Sequence, residues 1–185
     1  MRKRFELKPL EPPYEKAIED ILAFYPRGKD GYLLKLFRLF ANSSRFLSGK
    51  GVVNLLDKES PLPLQERELV ILRVTANNRC EYEWGVHVTA FAHAAEISEQ
   101  QYHATVLSDH GANCWSERQA LLIQCVDQLC VGACIDNETL ADFQAAWNVE
   151  QQLEIMALCG NYHLVSCVAN TARLALEETA QRFPK

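Results

Sequence analysis

From Tyr14 onward the apolar residues of this chain recur at helical spacing. Tyr14, Ile18, Ile21 and Leu22 share one face, and Leu33, Leu34, Phe37, Phe40 and Ala41 repeat at i, i+3, i+4 and i+7. Residues 26–31 read as the turn between these two stripes, and a further helix is expected over 43–56. Ser60-Pro61-Leu62-Pro63 is a break, because proline removes a backbone donor and crowds the preceding turn. Helix resumes near Leu64 and runs to about Asn77, where Asn77-Asn78 suits a turn. Another helix over 80–95 follows, packed antiparallel to the last. Ser98 with Gln101, and Ser116 with Gln119, have the spacing of capping boxes. The second opens a helix to about Gly132. Asp136 or Asn137 caps the next, which ends near Trp147, and a long closing helix is expected over about 150–178. No run alternates with the period of a strand. The pattern predicts an all-α bundle of about eight helices with short loops, preceded by a proline-bearing arm over residues 1–13.

Composition narrows this picture. A chain of 185 residues with 48% hydrophobic content suggests a single domain over 1–185, able to bury roughly 70% of its unfolded surface without staples. The formal net charge of −5 is spread along the chain, and no Lys/Arg footprint of a nucleic-acid binder is present. Arg2, Lys3 and Arg4 are followed by Phe5-Glu6-Leu7-Lys8-Pro9, which is not the apolar core of a signal peptide. No apolar run reaches the roughly 18 residues a membrane span requires. A cytoplasmic protein is expected. The seven cysteines, at 80, 114, 125, 130, 134, 159 and 167, form no Cys-x-x-Cys pair. They are expected as free thiols packed as small hydrophobes, Cys130 and Cys134 included, with no structural zinc and no cofactor.

The candidate chemistry lies in Cys80-Glu81-Tyr82-Glu83-Trp84-Gly85-Val86-His87. On a helix Cys80, Glu83 and His87 fall on one face at i, i+3 and i+7, in the order thiol, carboxylate, imidazole. Cys80 and His87 are about 10 Å apart along the axis, so Glu83 is the group that can reach either. Cys80 also opens its helix, where unpaired amides favour the thiolate. Glu68 lies on the preceding helix amid Leu69, Val70, Ile71, Leu72 and Val74, a run apolar enough to bury the segment almost all round. A Glu, a Cys and a His on one face are also compatible with an ordinary surface. Glu83 and His87 could hold a metal only with a third ligand such as His163. Trp84, Trp115 and Trp147 read as packing residues, and His93, His103 and His110 as surface or loop residues.

The segments Arg67-Glu68-Leu69-Val70-Ile71-Leu72-Arg73-Val74 and Glu81-Tyr82-Glu83-Trp84-Gly85-x-His87 resemble the carboxymuconolactone decarboxylase/AhpD-like superfamily. Its members carry a glutamate, a cysteine twelve residues on, and a histidine seven residues beyond that, as Glu68, Cys80 and His87 stand here. The specific match covers about 64–97, and about 37–127 resembles the whole module. Asn161-Tyr162-His163 through Asn170 is similar to its closing helix. The resemblance implies an all-helical AhpD-like fold and homo-oligomers, commonly trimers or hexamers. It implies a cleft site using Glu68, Cys80 and His87 on a small-molecule substrate. One departure stands out: Glu83 replaces the second cysteine of the family's Cys-x-x-Cys, so no vicinal disulfide can form.

Three functions follow. The first is a thiol-dependent antioxidant of the peroxidase type, in which Cys80 attacks a hydroperoxide and Glu68, Glu83 and His87 move protons. The second is a cofactor-free decarboxylase or isomerase of a small carboxylated lactone, with Cys80 a bystander and Arg67, Arg73 or Arg79 holding the carboxylate. The third is a non-catalytic oligomeric binding protein that kept the fold alone.

Overall fold

A computed structural model of the chain describes residues 9–25, 27, 31, 33, 38, 41–48, 59–174 and 176–185. Among the described residues the structure is all-helical: α1 (Lys16–Leu22), α2 (Ser44–Leu47), α3 (Leu64–Asn77), α4 (Glu81–Phe91), α5 (Glu99–Leu107), α6 (Glu117–Gly132), α7 (Asn137–Ala146) and α8 (Val149–Ala172). An isolated antiparallel bridge joins Arg27 to Leu33 across the expected turn. That bridge takes Leu33 out of the helical stripe predicted to begin there. Most of that stripe, and of the helix predicted over 43–56, lies outside the described residues.

The bundle is organised around α3. Helices α4, α5, α6 and α8 all pack against it, and every residue from Glu66 to Thr75 is buried. A helix covered on all sides is apolar all round, which is why the 69–74 stretch shows no polar stripe. The main core joins Leu69, Val70, Ile71, Leu72 and Val74 to Trp84, Leu122, Trp147, Ile155, Leu158 and Tyr162. A smaller core of Ile18, Leu22, Leu33, Ala41 and Leu47 lies under α1 and α2. It meets the bundle through polar contacts to the first turns of α8: Ser43 donates to Glu150, and Arg45 pairs with the buried Glu154, which also accepts from Ser60.

The turn between α3 and α4 fixes the front of the candidate site. Arg79 adopts the left-handed conformation at φ 52°. Its N–H then donates to Ala76 O at 2.9 Å, and Cys80 N–H donates to Thr75 O at 2.8 Å. This is the Schellman closure, normally built on glycine because a Cβ is disfavoured there. Cys80 is thus locked by its own amide into the end of α3 while serving as the N-cap of α4.

Three element ends differ from the sequence reading. Helix α4 stops at Phe91 rather than Ala95; one further turn follows and is closed at Glu96, at φ 54°, where Ile97 N–H reaches Ala92 O and Glu96 N–H reaches His93 O. The closing helix ends at Ala172, not near 178. Arg173 is left-handed at φ 50° and Leu174 N–H returns to Ala169 O. Its start is also sharper than expected, since Asn148 and Gln151 form a capping box. The capping boxes at Ser98/Gln101 and Ser116/Gln119, and the Asp136 cap, are as predicted.

After α8 the chain returns along the outer face of α4. Glu177 accepts from the Tyr82 hydroxyl, Gln181 N–H donates to Thr89 Oγ1, and Phe183 N–H donates to Glu81 Oε1. The Phe183 ring meets Trp84 edge-on at 5.2 Å. The crossing is possible because residue 85 is glycine: a Cβ there would strike the Gln181 carbonyl. Among the described residues no helix is long and apolar enough to cross a membrane.

Candidate functional site

Three helices converge on His87. Helix α3 supplies Glu68, whose Oε2 is 2.7 Å from His87 Nδ1. Helix α8 supplies Tyr162, whose hydroxyl is 3.2 Å from His87 Nε2. One turn back on α4, Glu83 Oε2 lies 3.8 Å from the same Nε2. The imidazole is braced by two rings, Tyr162 edge-on at 5.2 Å and Phe91 tilted at 5.3 Å. Glu68 is 2% exposed, His87 7% and Tyr162 0%. The carboxylate of Glu83 is partly open to solvent. The site therefore grades from a buried carboxylate, through an imidazole, to a carboxylate on the accessible side.

The local sequence explains this grading. Spacing of three and four residues puts Glu83 and His87 on one face of α4, as expected, and Glu68 faces them from the fully buried helix α3. Cys80 is set apart from this gradient. It lies at the turn, it is a free thiol, and its relative exposure is 0%. Burial is the usual state of an unmodified cysteine packed as a small hydrophobe. Attack on a substrate from this position requires the turn to open.

Tyr162 is the residue that sequence reasoning passed over, with attention on its neighbour His163. The structure puts His163 at the surface. A signal was present: Ile155, Leu158, Cys159 and Tyr162 form an i, i+3, i+4, i+7 stripe, which points Tyr162 inward and His163 outward. Burial, followed by the negative charges of Glu68 and Glu83, pushes the Tyr162 phenol well above its ordinary value, with the Arg67 guanidinium pulling the other way. The phenol thus remains a protonated donor across the physiological range.

The structure also separates the three arginines considered for substrate binding. Arg73 is committed to structure: its Nε and Nη2 hold Asp127 at 2.5 and 2.7 Å, and its Nη1 caps Thr105 O and Ser108 O at 2.8 and 2.7 Å. Arg79 is exposed on the turn. Arg67 is 8% exposed and faces the Tyr162 phenol.

The remaining thiols sort by depth. Burial pushes Cys125 up to about 12 and Cys159 well above its ordinary value, and Cys130 is also raised. Cys134 is exposed, contrary to the expectation that it packs inside. Among the described residues no group of three or more His, Cys, Asp or Glu side chains is arranged to hold a metal ion.

Residues 50–123 match the model of the carboxymuconolactone decarboxylase family. Two solved structures share the chain's fold. One is an uncharacterized peroxidase-related protein from Silicibacter sp. TM1040, 19% identical, with a TM-score of 0.60 and the whole of both chains covered. The other is a protein of unknown function from Agrobacterium tumefaciens, described as a candidate antioxidant defence protein AhpD. It is 18% identical, with a TM-score of 0.58, over 64% of this chain and 81% of that chain. No curated protein matches the chain.

Proposed function

We propose that the chain is a cofactor-free proton-transfer enzyme, with His87 as the base and acid, acting on a small carbonyl acid such as a carboxylated lactone. The observation that carries this reading is the His87 geometry: Glu68 holds Nδ1 from the buried side while Nε2 faces Glu83 on the open side. A carboxylate behind an imidazole fixes its orientation and stabilises the imidazolium formed when the far nitrogen takes a proton. In the proposed cycle for isomerisation Nε2 removes a proton from one substrate atom, Glu68 stabilises the resulting imidazolium, and Nε2 returns the proton to a different atom; for decarboxylation the carboxylate leaves as CO2 and the imidazolium, protonated from water, delivers its proton to the carbon left behind. Glu83, at the mouth of the site, would pair with Nε2–H between the two transfers.

The test is a panel of small carboxylated lactones and keto acids, followed by loss of CO2 and by exchange of substrate hydrogen with D2O. His87→Ala should remove both activities and Cys80→Ala should keep them. Activity that vanishes with Cys80→Ala would overturn the proposal.

The thiol-peroxidase reading keeps one specific support: Cys80 is the N-cap of α4, at the end where the helix amides have no partner within the helix. The names of the two structural neighbours point the same way. It predicts sulfenate at residue 80 after addition of hydroperoxide, trapped by mass spectrometry and absent in Cys80→Ser. It ranks second because Cys80 is sealed and Glu83 stands where a resolving thiol would be.

A further inference from the structure

We infer that Tyr162 is a positioning residue that sets the direction of the hydrogen-bond chain through His87 and holds its Nε2 as the unprotonated nitrogen. The argument rests on the proton-transfer reading for its meaning, but its geometry stands independently. A carboxylate has only acceptors, and Glu68 Oε2 lies 2.7 Å from His87 Nδ1, so the proton between them is on Nδ1. The phenol has one proton to give, and the acceptor beside it is His87 Nε2 at 3.2 Å. Nε2 must then carry a lone pair, which leaves the ring proton on Nδ1, donated to Glu68 Oε2 at 2.7 Å. The chain therefore runs Tyr162 to His87 to Glu68, with the O–H and the N–H pointing the same way.

This order makes Tyr162 and Glu83 partners of opposite charge states of one nitrogen. Tyr162 donates to Nε2 only while the imidazole is neutral. When Nε2 gains a proton it becomes a donor, and the acceptor on its open side is Glu83 Oε2 at 3.8 Å. The groups that face the imidazole are Glu68 from α3, Glu83 from α4 and Tyr162 from α8, with the Arg67 guanidinium of α3 beside the Tyr162 phenol. The neutral form is thus held by a phenol and the charged form by carboxylates, so a small movement of the ring between Tyr162 and Glu83 accompanies each proton transfer. Tyr162 keeps the base ready without itself touching substrate, since it is fully buried.

The test reads His87 directly, with no substrate needed. Long-range proton–nitrogen NMR of the full-length protein should show Nδ1 protonated and Nε2 bare. At one fixed pH, Tyr162→Phe should raise the imidazolium fraction of His87 and blur the tautomer, whereas Glu83→Gln should lower the imidazolium fraction. An Nε2–H tautomer in the unaltered protein, or the same tautomer and charge in Tyr162→Phe as in the parent, overturns the inference. If Tyr162→Phe does not fold, the parent tautomer and the Glu83→Gln shift still decide it. Failure here leaves the enzymatic reading open, because that reading is judged by substrate turnover in His87→Ala.

Discussion

Glu66 and Glu68 are two residues apart on α3, both buried, and they do different things. Glu66 points toward α6 and α7. Arg118 grips it through Nε at 2.5 Å and Nη2 at 3.2 Å, and Trp147 Nε1 donates to it at 2.7 Å. The same guanidinium lies 4.6 Å over the Trp147 ring and caps Ala146 O. Glu68 points toward α4 and, among the described residues, meets only His87 at comparable distance. The first carboxylate faces a permanent cation with its hydrogen bonds completed, which is a structural pair. The second faces a partner whose charge can change, which is a site. Burial alone does not tell the two apart; the titratability of the partner does.

The largest expected effect tests that contrast through activity. Glu68→Gln should lower turnover by roughly 10²–10⁴-fold, while melting temperature moves little, because the amide still accepts from Nδ1. Comparing turnover and thermal melts of this variant with those of Glu66→Gln separates the roles, and equal losses of activity in both would erase the distinction.

Glu66→Ala should act on stability instead. It strands the Trp147 N–H and leaves Arg118 without its carboxylate. The cost should be about 2–3 kcal/mol, held below that of a fully buried pair because Arg118 is half-exposed. Urea denaturation measures it.

Gly85→Ala should come next. The new methyl meets the Gln181 carbonyl, so the tail must lift off α4 at a cost of about 1–3 kcal/mol. Hydrogen exchange should show loss of protection at Gln181 and Phe183, while α3 stays protected. Protection unchanged at the tail would disprove the strap.

Alkaline pH should weaken the fold through its buried thiols. Cys125 and Cys159 keep their protons in the folded chain above the ordinary thiol value near 9, whereas the unfolded chain gives them up. The native state then binds more protons, so stability is intact below about pH 9 and falls as pH rises toward 12. The slope approaches about 1.4 kcal/mol per pH unit for each thiol. Melts from pH 8 to 11 should show it, and Cys125→Ala should reduce it.

The smallest effect is a gain. Arg79→Gly should stabilise by roughly 0.5–1 kcal/mol, since glycine enters the left-handed region without a Cβ penalty. Thermal denaturation checks the sign.

Much of this was legible in the chain. Capping boxes, the proline break before Leu64 and the dense apolar run of 69–74 are local signals, and local hydrogen bonding and helical period are set by nearest neighbours in sequence. They fixed the helical class and the ends of α3, α5, α6 and α7. The grouping of Glu83 with His87 is also local, being one helical turn. The ends of α4 and α8 were not legible, because Glu96 and Arg173 are not residues that announce a left-handed closure.

What only the tertiary structure decided is which groups from distant segments face each other. Glu66 and Glu68 look alike in sequence; Arg118 and Trp147 come to one, and His87 to the other, across 52, 81 and 19 residues of chain. Tyr162 and Arg67 joined the site, Arg73 left it for Asp127, and Cys80 was sealed beneath the turn. These outcomes depend on how α4, α6 and α8 pack on α3, and that packing is a sum of contacts over the whole core that no short stretch of sequence contains.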